Sequence, residues 1–154
     1  MLPAANDPAA WQNFYVMMGG ANAALTGLVF VALSIHLREV LEHPTLRPRA
    51  VIALTVLTTQ IVIAAIVLVP QSVQLIGLEV FGVNAAFLAV DARQNFSLLI
   101  SRTRLMSLTI RIVYIYSAVS LVLGIGGGFY VLALAIVVTL GRTMVSAWAL
   151  LTAL

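Results

Sequence analysis

Five side chains that can hydrogen-bond or exchange a proton fall inside long apolar runs of this sequence: Asn22, Gln60, Glu79, Tyr114 and Ser117. Glu79 is the one acid among them. Intramembrane acids often mark ion paths, and an ionised side chain at the centre of a spanning helix costs roughly 2.5–3.5 kcal/mol on insertion scales. Counting about 1.5 Å per residue, Asn22 and Glu79 lie about 12 Å below one face of a core about 30 Å thick. Gln60 and Ser117 lie about 15 and 18 Å above the other face by the same count. These depths predict one central polar layer in which Glu79 is an uncharged, hydrogen-bonded carboxyl joined by Gln60 and Asn22, with Ser117 and Tyr114 at its edge.

A second set is basic. Arg104, Ser107, Arg111 and Tyr114 share one helical face, and Thr139, Arg142 and Ser146 share another. If the two stripes face each other, Arg104, Arg111 and Arg142 form an inner-leaflet basic cavity suited to an anion or a lipid headgroup. Arginines near a span end also snorkel to lipid phosphates, which is the blander use of the same residues. A third set, His36, Glu39 and His43, stands at i, i+3 and i+7 with nitrogen and oxygen ligands of the kind zinc takes. Three polar residues within two turns more often form a solvated face, with Arg38–Glu42 as an ordinary i,i+4 pair. No resident metal and no cofactor are expected.

The elements that carry these residues are spanning helices. Of 154 residues, 62% are hydrophobic and 8% charged, against roughly 45–50% and about 25% in soluble domains. Five stretches approach the ~20 residues a spanning helix needs: 14–35, 50–69, 72–90, 105–123 and 129–148. The expectation is therefore an all-α polytopic bundle forming a single transmembrane domain over residues 1–154. The first helix is expected to continue through 37–43 until Pro44, because the residue before a proline leaves the α region. Pro48 suits the first turn of the next helix. Pro70-Gln71 and the GIGGG at 124–128 read as tight hairpin turns. Gly141-Arg142 is where the last span would end early if it did. The hairpins 50–90 and 105–150 share length and direction, an internal repeat in hydropathy alone.

All cationic charge is arginine, eight residues against no lysine. Arg38, Arg47 and Arg49 lie in the first connection and Arg93, Arg102 and Arg104 in the third. The N-terminal segment, the Pro70 turn and the glycine turn have none. The positive-inside rule then puts the N-terminus outside and the C-terminus inside, and Trp11, Tyr15, Phe129, Tyr130 and Trp148 fall at the boundaries where interfacial aromatics gather. Scattered in this way, the charge speaks against nucleic acid. The first residues lack the basic region of a signal peptide, so no cleavage is expected. Without cysteine there is no thiol chemistry, and GxSxG, HExxH, GxxxxGK and GxGxxG are missing, so the chain is read as non-enzymatic.

Small residues predict where helices meet. Gly19, Ala23 and Gly27 stack at four-residue intervals, with Gly20 and Ala24 alongside, and such faces let backbones approach closely. The partner is either another helix of the chain or a second copy. Gly82 and Ala86 share a face with Glu79, which predicts a helix contact there as well.

The segment 11–49, with GGANAALTGLVFVALSIHLREVLEHPTLRPRA at its heart, resembles the start of a family of small multi-span bacterial inner-membrane proteins, often from high-GC organisms. Members are sometimes labelled modulators of a membrane-bound AAA protease. The likeness extends loosely to the Pro70-Gln71 hairpin and to SAWALL at 146–151. It implies a multi-pass protein of the bacterial inner (cytoplasmic) membrane and brings no known catalytic residues. The arginine-only charge fits a high-GC source.

Three function classes follow. The chain is an assembly or regulatory module, either homo-oligomeric or an accessory subunit of a larger membrane complex. Alternatively it is a small ion or proton channel or carrier using Glu79, or a binder of anionic lipid or an anion at Arg111 and Arg142.

Overall fold

The computed structural model describes residues 7–42, 46–94 and 102–151, apart from the side chains at 39, 48, 90–94, 102–108 and 149–151. Among the described residues the chain forms six α-helices and no strand: α1 Pro8–Ile35, α2 Leu37–Glu42, α3 Leu46–Leu68, α4 Val73–Gln94, α5 Arg102–Leu123 and α6 Gly128–Leu151. Three stretches, Pro8–Ile35, Arg49–Leu68 and Gly128–Trp148, are long and apolar enough to cross a membrane; Val73–Ala89 and Thr109–Leu123 are apolar but shorter. By length and composition this is a membrane-protein bundle. Its outer surface agrees, with Leu28, Ile35, Leu134, Val145 and Trp148 all strongly exposed, which suits lipid and not water.

Local chemistry sets the ends of these helices. Asp7 caps α1 by accepting the Ala9 N–H at 3.0 Å, and Pro8 takes the first helical position, where no donor is required. α1 breaks at His36, whose N–H donates to the Ala32 carbonyl; α2 resumes directly, its Val40 N–H donating to the His36 carbonyl at 3.0 Å. The expected helical continuation is thus present with a one-residue break, and Pro44 and His43 lie outside the described residues. Pro48 falls in the first turn of α3, as its missing amide favours. Ser72 starts α4, its carbonyl accepting the Ile76 N–H and its hydroxyl the Leu75 N–H.

The glycine turn closes α5 with a paired C-terminal motif. Ile125 N–H donates to the Ser120 carbonyl and Gly124 N–H to the Leu121 carbonyl; Gly124 sits at φ 66°, the left-handed region that ends many helices. Gly126 and Gly127 follow at φ 82° and 67°. The Ser120 hydroxyl donates to the Ile125 carbonyl across the same turn. α6 then runs unbroken through Gly141-Arg142 to Leu151, so the last helix does not end early.

Contacts fix the directions. An added Cβ on Gly19 would meet Ala64 at 3.2 Å, while Leu33 and Val40 pack with Leu46 and Ala50, so α1 and α3 are antiparallel. The start of α6 lies beside the start of α1: Trp11 stacks on Phe129 at 6.2 Å and meets Tyr130 edge-on at 4.7 Å. Phe14 and Tyr15 complete this aromatic end. All the helical arginines at positions 38, 47, 49, 93, 102 and 104 fall at the opposite end. α4 packs chiefly on α5, α5 on α6, and α6 also on α3 and α1; the α3–α4 contact is sparser. The result is a ring of α3, α4, α5 and α6 with α1 laid over the seam between α3 and α6.

Candidate functional site

The sparse side of that ring leaves a cavity of about 360 Å³, at the small end of ligand pockets. Its wall comes from four helices: Arg49, Ile52, Ala53, Val56, Thr59 and Gln60 of α3, Asn84 of α4, Ile110, Arg111 and Tyr114 of α5, and Thr139, Arg142, Thr143 and Ser146 of α6. The reason lies in helical spacing. Arg49, Ala53, Val56 and Gln60 recur at three and four residues and so form one stripe; Arg111 and Tyr114 on α5, and Thr139, Arg142, Thr143 and Ser146 on α6, do the same. From Arg49 to Gln60 the cavity runs about 16 Å along α3 at 1.5 Å per residue.

Charge is concentrated at one end, toward the start of α3. Three arginines line one space, Arg49 exposed and Arg111 and Arg142 half-buried, and the described lining contains no carboxylate. Guanidinium groups carry a rigid fork of donors that matches phosphate and carboxylate oxygens two at a time. Arg111 and Tyr114 of one expected stripe, and Thr139, Arg142 and Ser146 of the other, line this cavity, while the Ser107 side chain is outside the described residues. Arg104 contributes its helical position in α5; its side chain is outside the described residues. Arg49 was read from sequence only as a topology signal, yet following the face of Gln60 back toward the arginine end in steps of four, three and four leads to it.

The other end is polar, buried and incompletely bonded. Gln60 and Tyr114 are 2% and 4% exposed. Neither the Gln60 amide atoms nor the Tyr114 hydroxyl has a hydrogen-bond partner among the described residues. The Tyr114 hydroxyl lies near the Gln60 and Thr139 side chains. Neighbouring donors are spent within their own helices: Thr139 Oγ1 donates to the Ala135 carbonyl at 2.6 Å, Thr143 Oγ1 to the Thr139 carbonyl, and Asn84 Nδ2 to the Val80 carbonyl. Buried polar groups are nearly always bonded, and each left unpaired costs about 1–3 kcal/mol. Tyr15, which interacts with Tyr114, has an unpartnered hydroxyl too. Asn22, level with Gln60 on α1, donates to the Met18 carbonyl at 2.7 Å while its Oδ1 is unpartnered.

Glu79 does not join this group. Its Oε2 accepts the Gln71 amide at 2.8 Å, and the same Gln71 amide donates to the Ile66 carbonyl at 3.0 Å. Gln71 thereby ties the last turn of α3 to the second turn of α4, and the expected layer of Glu79 with Gln60 and Asn22 is corrected to a hairpin staple. The cause is reach: the turn delivers an amide donor within one side-chain length of Glu79. Ser117 is also diverted, donating to the Gly128 carbonyl at 2.9 Å and fastening α5 to the start of α6. We expect Glu79→Gln to leave stability within about 0.5 kcal/mol, because a side-chain carbonyl still accepts from Gln71, whereas Glu79→Leu removes the acceptor and costs about 1 kcal/mol. Denaturant unfolding in detergent separates the two. A proteoliposome flux that disappears with Glu79→Gln would instead place this residue on an ion path.

The small-residue faces are corrected in part. Gly19 meets α3 at Ala64, but Gly27 faces open space and Ala23 is exposed. On α4, Gly82 has nothing near it and Ala86 is exposed; the buried face is Ile76, Gly77, Val80 and Asn84. The close approaches fall at Gly77, against the backbone of Ala118 and Val122, and at Gly128, against Leu121. His36 sits at the break between α1 and α2, while the Glu39 side chain and His43 are outside the described residues; among those described, no group of three potential metal ligands forms. The expected Arg38–Glu42 pair is present at 3.0 Å, with both side chains largely in solvent, where such pairs contribute little.

Compared with protein-family models, with curated proteins and with solved structures, the chain matches none.

Proposed function

We propose that this chain is a five-span, non-enzymatic protein of the bacterial inner membrane, N-terminus outside and C-terminus inside, that holds an anionic headgroup or anion in its arginine-lined cavity. One observation carries the reading: Arg49, Arg111 and Arg142, from three different helices, line a single cavity whose described wall has no acid. Three like charges gathered around one partly enclosed space repel one another, and an anion between them offsets that repulsion. With the arginine end inside, the three arginines belong to the side where anionic lipid headgroups and cytosolic solutes are both at hand. Binding of this kind suits the assembly or regulatory role expected from sequence, the occupant acting as a structural ligand or a signal. The exposed Ala23 and Gly27 on α1 support a homo-oligomer or a membrane-protein partner as the context. The channel reading has less support, since Glu79 is engaged with Gln71.

The test compares the wild-type chain with Arg111→Gln/Arg142→Gln, both extracted gently in detergent. Wild type is expected to retain anionic phospholipid through purification and to bind inorganic phosphate, and the double variant to lose at least about tenfold in affinity. Equal retention by the two proteins refutes the proposal. The mass of the same particle reads out the oligomer or partner.

A further inference from the structure

Resting on that reading, we infer that Gln60 and Tyr114 form a recognition floor that selects a hydroxyl-bearing phosphoester, a phosphate linked to a short polyol, over the same phosphate carrying an alkyl group. Arg111 and Tyr114 are three residues apart on α5, as are Thr139 and Arg142 on α6, so the backbone positions of the two arginines stand about 4.5 Å along the helix axes from those of Tyr114 and Thr139, toward the arginine end. A phosphate held by the arginines thus places a two- or three-carbon substituent against Gln60 and Tyr114.

The chemistry of the floor specifies that substituent. Gln60 offers one acceptor and two donors, and Tyr114 offers a donor and an acceptor; both side chains line the cavity, are more than nine-tenths buried and lack partners. A hydroxyl answers both sides, donating to Gln60 Oε1 while accepting from Gln60 Nε2 or the Tyr114 hydroxyl. An ammonium group serves only the acceptor, leaves the amide donors unpaired and is repelled by the arginines. An alkyl group serves neither and strands the polar atoms, which is the strongest discrimination a hydrogen-bonding site exerts. Of the neighbours, Thr139 has committed its single hydroxyl proton to Ala135 and Asn84 one of its two amide protons to Val80.

The same chemistry is found in the glycerol headgroup of phosphatidylglycerol and in free glycerol phosphate. The experiment uses charge-matched pairs on the full chain. In nanodiscs, phosphatidylglycerol is compared with phosphatidylethanol; in detergent, glycerol 1-phosphate is compared with propyl phosphate. We expect about tenfold preference for the hydroxyl-bearing member of at least one pair. Preference in the first pair alone identifies a lipid headgroup and in the second alone a solute. In either case Gln60→Leu, which removes the amide at similar volume, and Tyr114→Phe are expected to abolish the preference while affinity for the alkyl member stays within twofold. Equal binding within both pairs, or a preference that survives both substitutions, overturns the inference and assigns the floor to water. Arginine-dependent phosphate binding without any hydroxyl preference leaves the function reading standing and removes only this one, whereas absence of anion binding removes both.

Discussion

Gly77→Ala is expected to destabilise the bundle by about 2–3 kcal/mol, while Gly82→Ala, five residues further along the same helix, is expected to be neutral or slightly stabilising. A Cβ at Gly77 would lie 2.8 Å from the Ala118 carbonyl oxygen, 2.8 Å from Val122 Cγ2 and 2.9 Å from the Val122 nitrogen. Two of those three atoms are backbone and cannot turn aside, so α4 has to back away from α5 along its principal contact. In lipid, helix association depends on close packing and not on expulsion of water, so a retreat of even a fraction of an ångström forfeits much of the dispersion energy. Gly82 has open space around it, and alanine there gains helix propensity worth roughly 0.5–1 kcal/mol. Denaturant unfolding midpoints in one detergent decide the matter. Matching midpoints for the two variants would mean that α4 and α5 do not pack as described.

Arg142→Glu is expected to abolish anion binding altogether, a larger effect than neutralisation. At an effective dielectric of about 20, one unit charge about 4 Å away contributes roughly 4 kcal/mol, so exchanging attraction for repulsion exceeds a thousandfold in affinity. The fold is expected to survive, because a glutamate at position 142 faces the same space as Arg49 and Arg111 and becomes their counterion in place of the ligand. The matched control is Arg38→Glu, which lies on α2, is exposed and pairs with Glu42; it should leave binding unchanged. Titration with inorganic phosphate, alongside retention of anionic lipid, measures both. If the two reversals weaken binding equally, the anion is held by general surface charge and the cavity is not its site.

How much of the site was legible in sequence varies residue by residue. Arg111 with Tyr114, and Thr139 with Arg142 and Ser146, were readable because three- and four-residue spacing is a property of the helix alone. Gln60 was readable as a buried polar residue because of its depth. Its bonding was not, since the identity of a neighbour across a helix interface has no local signature. Asn84, the lone amide at the centre of α4, carried the same kind of signal as Gln60. Glu79 was the most conspicuous residue in the sequence, and the turn residue Gln71 reaches it before any residue of the central layer does.

The sequence by itself determined the helices, their ends and the sorting of charge between the two ends of the bundle. Moving an arginine or an unpaired backbone amide into hydrocarbon costs several kcal/mol, and that cost is written plainly in runs of apolar residues and in where arginine, proline and glycine interrupt them. Only the tertiary structure decided which face of each helix turns inward. Lipid tails are as apolar as leucine, so a side chain gains little by choosing a helix over the bilayer and the sequence shows no strong apolar stripe to mark the choice. Ala23 and Gly27 turn outward and Gly77 inward for reasons of shape that emerge only when two backbones meet. The cavity has the same origin: three arginines from three helices line one space because the ring of α3, α4, α5 and α6 closes incompletely around them.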